Sequence, residues 1–217
     1  MRRRLYLMRH AAVAYFDEHG RPLDPLTAVL TDEGRAQAAA AADALEDAEL
    51  DLVVTSSLGR TVETARIVAP GCESEPWSEL DEWQGGHLRD IPEEELEERF
   101  TGALKITDED DRFLAGESLR EVRARVVPAL ERLVARDWDT ALAVLHGGVN
   151  RVVLSQALTG GRPYLWNFEQ APACINVLDL GGDWIVRTVN YIPYDPLHPA
   201  RETTMEALWR QYERSDG

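Results

Sequence analysis

Positive charge is scarce in this chain, with 23 lysines and arginines against 39 acidic residues, a net charge of −16, and Lys105 as the single lysine. The averaged field repels DNA, RNA and anionic lipid surfaces, so neither nucleic acid nor a membrane is expected as a partner. Cysteine is nearly as rare. Cys72 and Cys174 stand far apart, without His or Cys neighbours at metal-ligand spacing, which argues against a disulfide framework and against a zinc site. A reduced, cytoplasmic setting fits that usage. Long apolar runs are missing too, and no stretch is long enough to span a membrane. Met1-Arg-Arg-Arg4 imitates the start of a secretory signal, but the apolar run after it covers only Leu5 to Met8 before Arg9 and His10 interrupt it.

What is present is an ordinary globular composition, 44% hydrophobic and 29% charged over 217 residues, enough for one continuous core. A single domain over 1–217 is expected, with neither an internal repeat nor a dividing linker. Leu5 to Met8, Asp51 to Thr55 and Ala141 to Leu145 read as short buried strands, each followed by a helical pattern. Those helices run from Thr31 to about Asp47, from Arg60 to Ala69 and from Val149 to Leu158. Another is expected between Glu117 and Arg136, where Leu119, Val122, Val126, Leu130 and Leu133 mark one buried face. Cys174 to Leu180 and Trp184 to Val189, parted by Gly181-Gly-Asp183, read as a hairpin or sheet-edge pair, and Thr203 to Arg214 as a final helix. An acidic stretch at about 87–113, with a short helix over Pro92 to Phe100, reads as a cap or insertion over the sheet. Its glutamates are a solvated face. Strands alternating with helices imply an α/β three-layer sandwich with a mostly parallel central sheet.

In such sheets ligands bind beyond the carboxyl ends of the strands. Arg9 and His10 leave the first strand, Arg60 opens the helix after the second, and His146-Gly-Gly148 leaves the third. Two guanidiniums and two imidazoles are thereby directed to one end of the sheet. A guanidinium donates paired hydrogen bonds to phosphate oxygens, and a helix start adds N–H groups of the right sign. A histidine there acts as nucleophile or oxygen ligand, and a neighbouring carboxylic acid can protonate a departing alkoxide.

Leu5-Tyr-Leu-Met-Arg-His10, Leu30-Thr-Asp-Glu-Gly-Arg-Ala-Gln-Ala38 and Ser56-Ser-Leu-Gly-Arg-Thr-Val-Glu-Thr-Ala65 resemble, in order, segments of the histidine phosphatase superfamily, which has a phosphoglycerate mutase-like fold. Gly116-Glu-Ser118 with Val122 and Arg125 resembles its characteristic helix start, and Val144-Leu-His-Gly-Gly-Val149 its second histidine motif. The resemblance implies that His10 is the nucleophile and that Arg9, Arg60 and His146 bind the phosphate, with His146 also counted as catalytic. It implies a glutamate proton donor in a Leu-x-Glu segment, which Glu82 of Leu80-Asp-Glu82 supplies, with Glu79 and Asp81 as the alternatives. His87 lies near enough in sequence to Glu82 to line the same pocket. Ala11 replaces the glycine after the signature histidine, and Ala12, Val13, Tyr15 and Phe16 replace polar residues of other branches. Those departures point away from mutase activity.

The expected activity is hydrolysis of a small phosphorylated substrate through a phosphohistidine, without metal or cofactor. A phosphoglycerate mutase and a non-catalytic module that binds a phosphorylated ligand are the alternatives. Oligomeric state stays open, a homodimer included.

Overall fold

The apolar runs assemble into a six-stranded sheet in the computed structural model, which describes residues 1–19, 21, 23–86, 91–102, 108–198 and 201–215. The strands are β1 (Arg3–Arg9), β2 (Leu52–Thr55), β3 (Ser74–Pro76), β4 (Thr140–Leu145), β5 (Ile175–Leu180) and β6 (Trp184–Tyr191). Their order is β3-β2-β4-β1-β5-β6. β3, β2, β4 and β1 pair in parallel, while β5 runs antiparallel to both β1 and β6. The mostly parallel sheet expected from the alternation is therefore present. β3 was not expected; its polar Ser74-Glu-Pro76 is a strand by virtue of pairing with β2 at the sheet edge.

Among the described residues six α-helices accompany the sheet: α1 (Asp32–Ala44), α2 (Gly59–Val68), α3 (Glu93–Thr101), α4 (Leu119–Ala135), α5 (Gly147–Thr159) and α6 (Thr204–Ser215). Alternate strand residues face opposite layers. Leu5, Leu7, Val54, Ala143 and Leu145 share one core with Val122, Val126 and Leu130 of α4 and with Val149 and Val153 of α5. Met8, Val53, Leu142 and Val144 share the other with Ala38 and Ala41 of α1 and with Ala65 and Val68 of α2. Each fully buried aliphatic side chain contributes about 1.5–3 kcal/mol relative to exposure, so the two cores clamp the sheet from both faces.

Two helix starts matter for the site. Thr31 caps α1 by accepting from the Gly34 N–H at 2.9 Å. A Cβ on Gly34 would lie 2.1 Å from the Ala12 carbonyl oxygen, so only glycine lets α1 approach the chain after β1 this closely. Ser118 and Glu121 form a capping box that fixes the start of α4. α3 and α6 are joined by aromatic rings, Phe100 lying 5.7 Å from Trp209 and 5.9 Å from Tyr212 between centroids. The acidic stretch at about 87–113 is described only in part, and His87 lies outside the described residues. Among them no helix is long and apolar enough to cross a membrane.

Candidate active site

Register, more than sequence, brings the site together. β1 pairs with β4 so that Arg9 stands opposite Leu145, and the His10 N–H donates to the Leu145 carbonyl at 2.9 Å. The residue just after each strand is a histidine. The two rings meet edge-on, centroids 5.2 Å apart and planes at 65°. β2 pairs with β4 so that Thr55 faces Val144, which sets Ser56 beside His146; their Oγ and Nε2 are 2.7 Å apart. Both histidines are buried, at 2% and 0% exposure.

His10 has its Nδ1 2.8 Å from the Ala11 carbonyl. A carbonyl only accepts, so Nδ1 carries the hydrogen and Nε2 keeps the lone pair. Ala11 is held in turn, its N–H donating to Thr64 Oγ1 at 3.1 Å, and Ala12 N–H donates to Gln37 Oε1 at 3.0 Å. Burial, then the Arg9 and Arg60 charges, push the His10 imidazole well below its ordinary value; the Ala11 hydrogen bond opposes them. Burial also lowers His146, aided by His10, Arg60, Arg9 and Arg125. Both rings are neutral near pH 7.

Arg9 and Arg60 are buried as well. Arg9 donates from Nη1 to the Gln170 carbonyl at 2.5 Å and to Thr204 Oγ1, the first residue of α6, at 3.3 Å. Arg60, in the first turn of α2, donates from Nη1 to the Pro25 carbonyl at 2.6 Å. Arg9 Nε, Arg60 Nε and His146 Nδ1 are among the buried polar atoms without a hydrogen-bond partner among the described residues. Buried polar groups are nearly always paired, so these nitrogens, two of them guanidinium donors whose charges act on His10, mark a place built for a ligand.

The three candidate acids separate clearly. Glu79 pairs with Arg132 at 2.8 Å, and that hydrogen bond holds its carboxyl below the usual range. Asp81 accepts from the Ser57 N–H and hydroxyl, each at 2.8 Å. Glu82 alone turns toward the second histidine motif: a Cβ on Gly148 would lie 2.8 Å from its Oε1. That same oxygen accepts from the Trp83 N–H at 2.8 Å.

Residues 5–191 match the family described as the histidine phosphatase superfamily (branch 1). The chain belongs to that superfamily. This histidine phosphatase is 34% identical over 178 residues to a glucosyl-3-phosphoglycerate phosphatase of Mycolicibacterium vanbaalenii, covering 73% of this chain and 75% of that one. It is 28% identical over 182 residues to a probable 2-carboxy-D-arabinitol-1-phosphatase of Arabidopsis thaliana, covering 82% of this chain but spanning only 38% of that protein. Among solved structures, a mycobacterial glucosyl-3-phosphoglycerate phosphatase with inorganic phosphate aligns with a TM-score of 0.69 at 26% identity, covering 88% of this chain and 98% of that one. A phosphoglycerate mutase from Bacillus anthracis aligns with a TM-score of 0.68 at 18% identity, over 89% and 95%, and shows the shared fold.

The site of this histidine phosphatase contains residues whose parts sequence reading did not assign. Ser56 holds His146. Arg151, one turn into α5, donates from Nε to the Phe168 carbonyl at 3.1 Å and sets Nη1 3.4 Å from where a Gly147 Cβ would be, beside Arg9. Arg125 reaches the carbonyls of the loop that carries Glu82. No spacing rule foretells these contacts, because each depends on how separate elements dock.

Proposed function

We propose that this chain is a phosphomonoesterase that hydrolyses a small phosphorylated metabolite through a phosphohistidine at His10. The observation that carries the reading is that Arg9 Nε, Arg60 Nε and His146 Nδ1 are buried nitrogens without a hydrogen-bond partner among the described residues, and that both guanidinium charges act on a His10 imidazole whose Nε2 keeps its lone pair.

The phosphoryl oxygens lie among those donors, whose guanidinium charges offset the charge developing on the phosphoryl oxygens. His10 Nε2 attacks phosphorus, an N–P bond forms and the ester P–O bond breaks. Glu82 gives its proton to the departing oxygen. In the second half Glu82, now a carboxylate, takes a proton from water; the water oxygen attacks phosphorus, the N–P bond breaks, and phosphate leaves with His10 restored. His146 acts on the oxygens: with the Ser56 hydroxyl donating to its Nε2, its Nδ1 carries the hydrogen that an oxygen of the substrate accepts. Arg9 and Arg60 supply the charge neutralisation, so no step calls for a metal ion. Two relatives, each named for a small phosphorylated compound, support the substrate class.

The test is hydrolysis of p-nitrophenyl phosphate by the wild type and by His10→Ala. Loss of turnover in the variant, with its fold intact by circular dichroism, is expected; retained turnover would overturn the assignment.

A further inference from the structure

The Arg125 guanidinium has five N–H bonds, and each has an acceptor. Nη1 donates to the carbonyls of Glu79 at 3.0 Å and Asp81 at 2.6 Å. Nη2 donates to the carbonyl of Glu82 at 3.1 Å and to Glu117 Oε2 at 2.8 Å, and Nε donates to Glu117 Oε1 at 3.0 Å. Three carbonyls of one short loop are thus gathered onto a single planar fork, itself braced by a two-point carboxylate pair. The fork projects from α4, whose start is locked by the Ser118–Glu121 capping box.

Glu117 grips the other side of the same loop. Its Oε2 accepts from the Gln84 N–H at 2.8 Å and its carbonyl from Trp83 Nε1 at 2.8 Å, while its own N–H donates to the Gln84 carbonyl at 2.8 Å. Gly116 makes the approach possible, since a Cβ there would stand 2.1 Å from the Gln84 carbonyl oxygen. Residues on both sides of Glu82 are therefore fixed, and its carboxylate, whose Oε1 accepts from the Trp83 N–H, is carried on a clamped segment.

We infer that Arg125, braced by Glu117, is a positioning residue that sets the proton donor Glu82 at the phosphate mouth. It touches neither substrate nor reacting atoms; it acts through the backbone of residues 79–82. The inference rests on the proposed role of Glu82 and is tested so that the two fail differently. Lysine at 125 has three donors on one nitrogen and cannot reproduce a five-donor planar fork, so even Arg125→Lys disturbs the loop.

A proton donor matters in proportion to how poor the leaving group is. p-Nitrophenolate departs without help, whereas an alkoxide must be protonated. The experiment measures kcat and KM for p-nitrophenyl, phenyl and glycerol phosphates in the wild type, Glu82→Gln, Arg125→Met, Arg125→Lys, Glu117→Gln and the Glu82→Gln/Arg125→Met double variant. If the inference holds, the Arg125 and Glu117 variants keep kcat on the p-nitrophenyl ester within a few-fold. On glycerol phosphate they lose kcat by about a hundredfold, the scale of a misplacement of roughly 1 Å. The double variant is then no worse on glycerol phosphate than Glu82→Gln alone, because both changes disable one function.

An equal loss on all three esters, a change in KM alone, or multiplying losses in the double variant would each overturn it. If Glu82→Gln shows the leaving-group dependence and no folded Arg125 or Glu117 variant does, only the positioning role falls. If Glu82→Gln shows none, the proton-donor assignment falls and takes this inference with it. Arg125→Lys and Glu117→Gln keep the test decisive should Arg125→Met not fold.

Discussion

The imidazole of His146 stands edge-on to that of His10, 5.2 Å between centroids, just past the ends of adjacent parallel strands and with essentially no exposure. Both are pushed well below the ordinary value of 6.5, chiefly by burial. Below pH 6.5 the unfolded chain takes up protons on these histidines and the folded chain does not. The unfolded state then binds more protons, so stability falls as pH falls through that window, by up to about 1.4 kcal/mol per pH unit for each histidine. Urea unfolding at pH 7.5 and 5.5 checks this. His10→Ala is expected to remove about half of the slope, and equal stability of the wild type at both values would contradict the buried, neutral pair. The lowered carboxyls of Glu75, Glu79 and Asp179 titrate below their ordinary values of 3.8–4.5 and leave this window untouched.

The acids of the Glu79–Glu82 turn are separable by mutation. Glu82→Gln is expected to lower kcat on an alkyl phosphate by about 10²–10⁴-fold, the usual worth of general acid catalysis. Asp81→Asn, which keeps an oxygen for Ser57, and Glu79→Gln, at the surface beside Arg132, are expected to stay within a few-fold. Steady-state kinetics on glycerol phosphate decide it, and a greater loss at Asp81 would reassign the donor.

Gly148 leaves the space that the Glu82 carboxylate occupies. In Gly148→Ala the new methyl displaces Oε1, 2.8 Å from the Cβ position, and presses on Trp83 at 3.3 Å. Turnover of alkyl phosphates is expected to drop more than that of aryl phosphates. An unchanged ratio between the two would count against Glu82 lying there.

Gly34→Ala tests the support beneath His10. The Ala12 oxygen, backbone and unable to rotate away, lies 2.1 Å from the new carbon, so α1 or the Ala11–Ala12 segment must shift. A destabilisation of about 1–3 kcal/mol is expected, together with reduced kcat, since the Ala11 carbonyl holds the His10 ring. Chemical denaturation and kinetics on the same preparation read both; a fully stable, fully active variant would contradict the coupling of α1 to the site.

Much of this was legible in the sequence where a local pattern coincided with burial. β1, β2 and β4 stand out because strands buried on both faces read as continuous apolar runs, and His10, Arg60 and His146 are found by following each run to its end. Ser74–Pro76 carries no such run, so its strand character exists only through β2. Glu82 is named by the resemblance of Leu80-Asp-Glu82, whereas the contact of Asp81 with Ser57 and the work of Ser56 and Arg125 depend on strand register and helix docking. These are long-range facts with no periodicity to announce them. Phe100 meeting Trp209 is another of the same kind.

The central claim is that one tetrahedral anion binds among Arg9, Arg60 and His146 and is passed to His10. Its most direct measurement is rapid quenching of the enzyme with a ³²P-labelled aryl phosphate, followed by mapping of the label. An alkali-stable, acid-labile label on His10 Nε2 that forms no more slowly than turnover is the predicted result. Label on another residue, or turnover with no bound label at any time, would contradict the account.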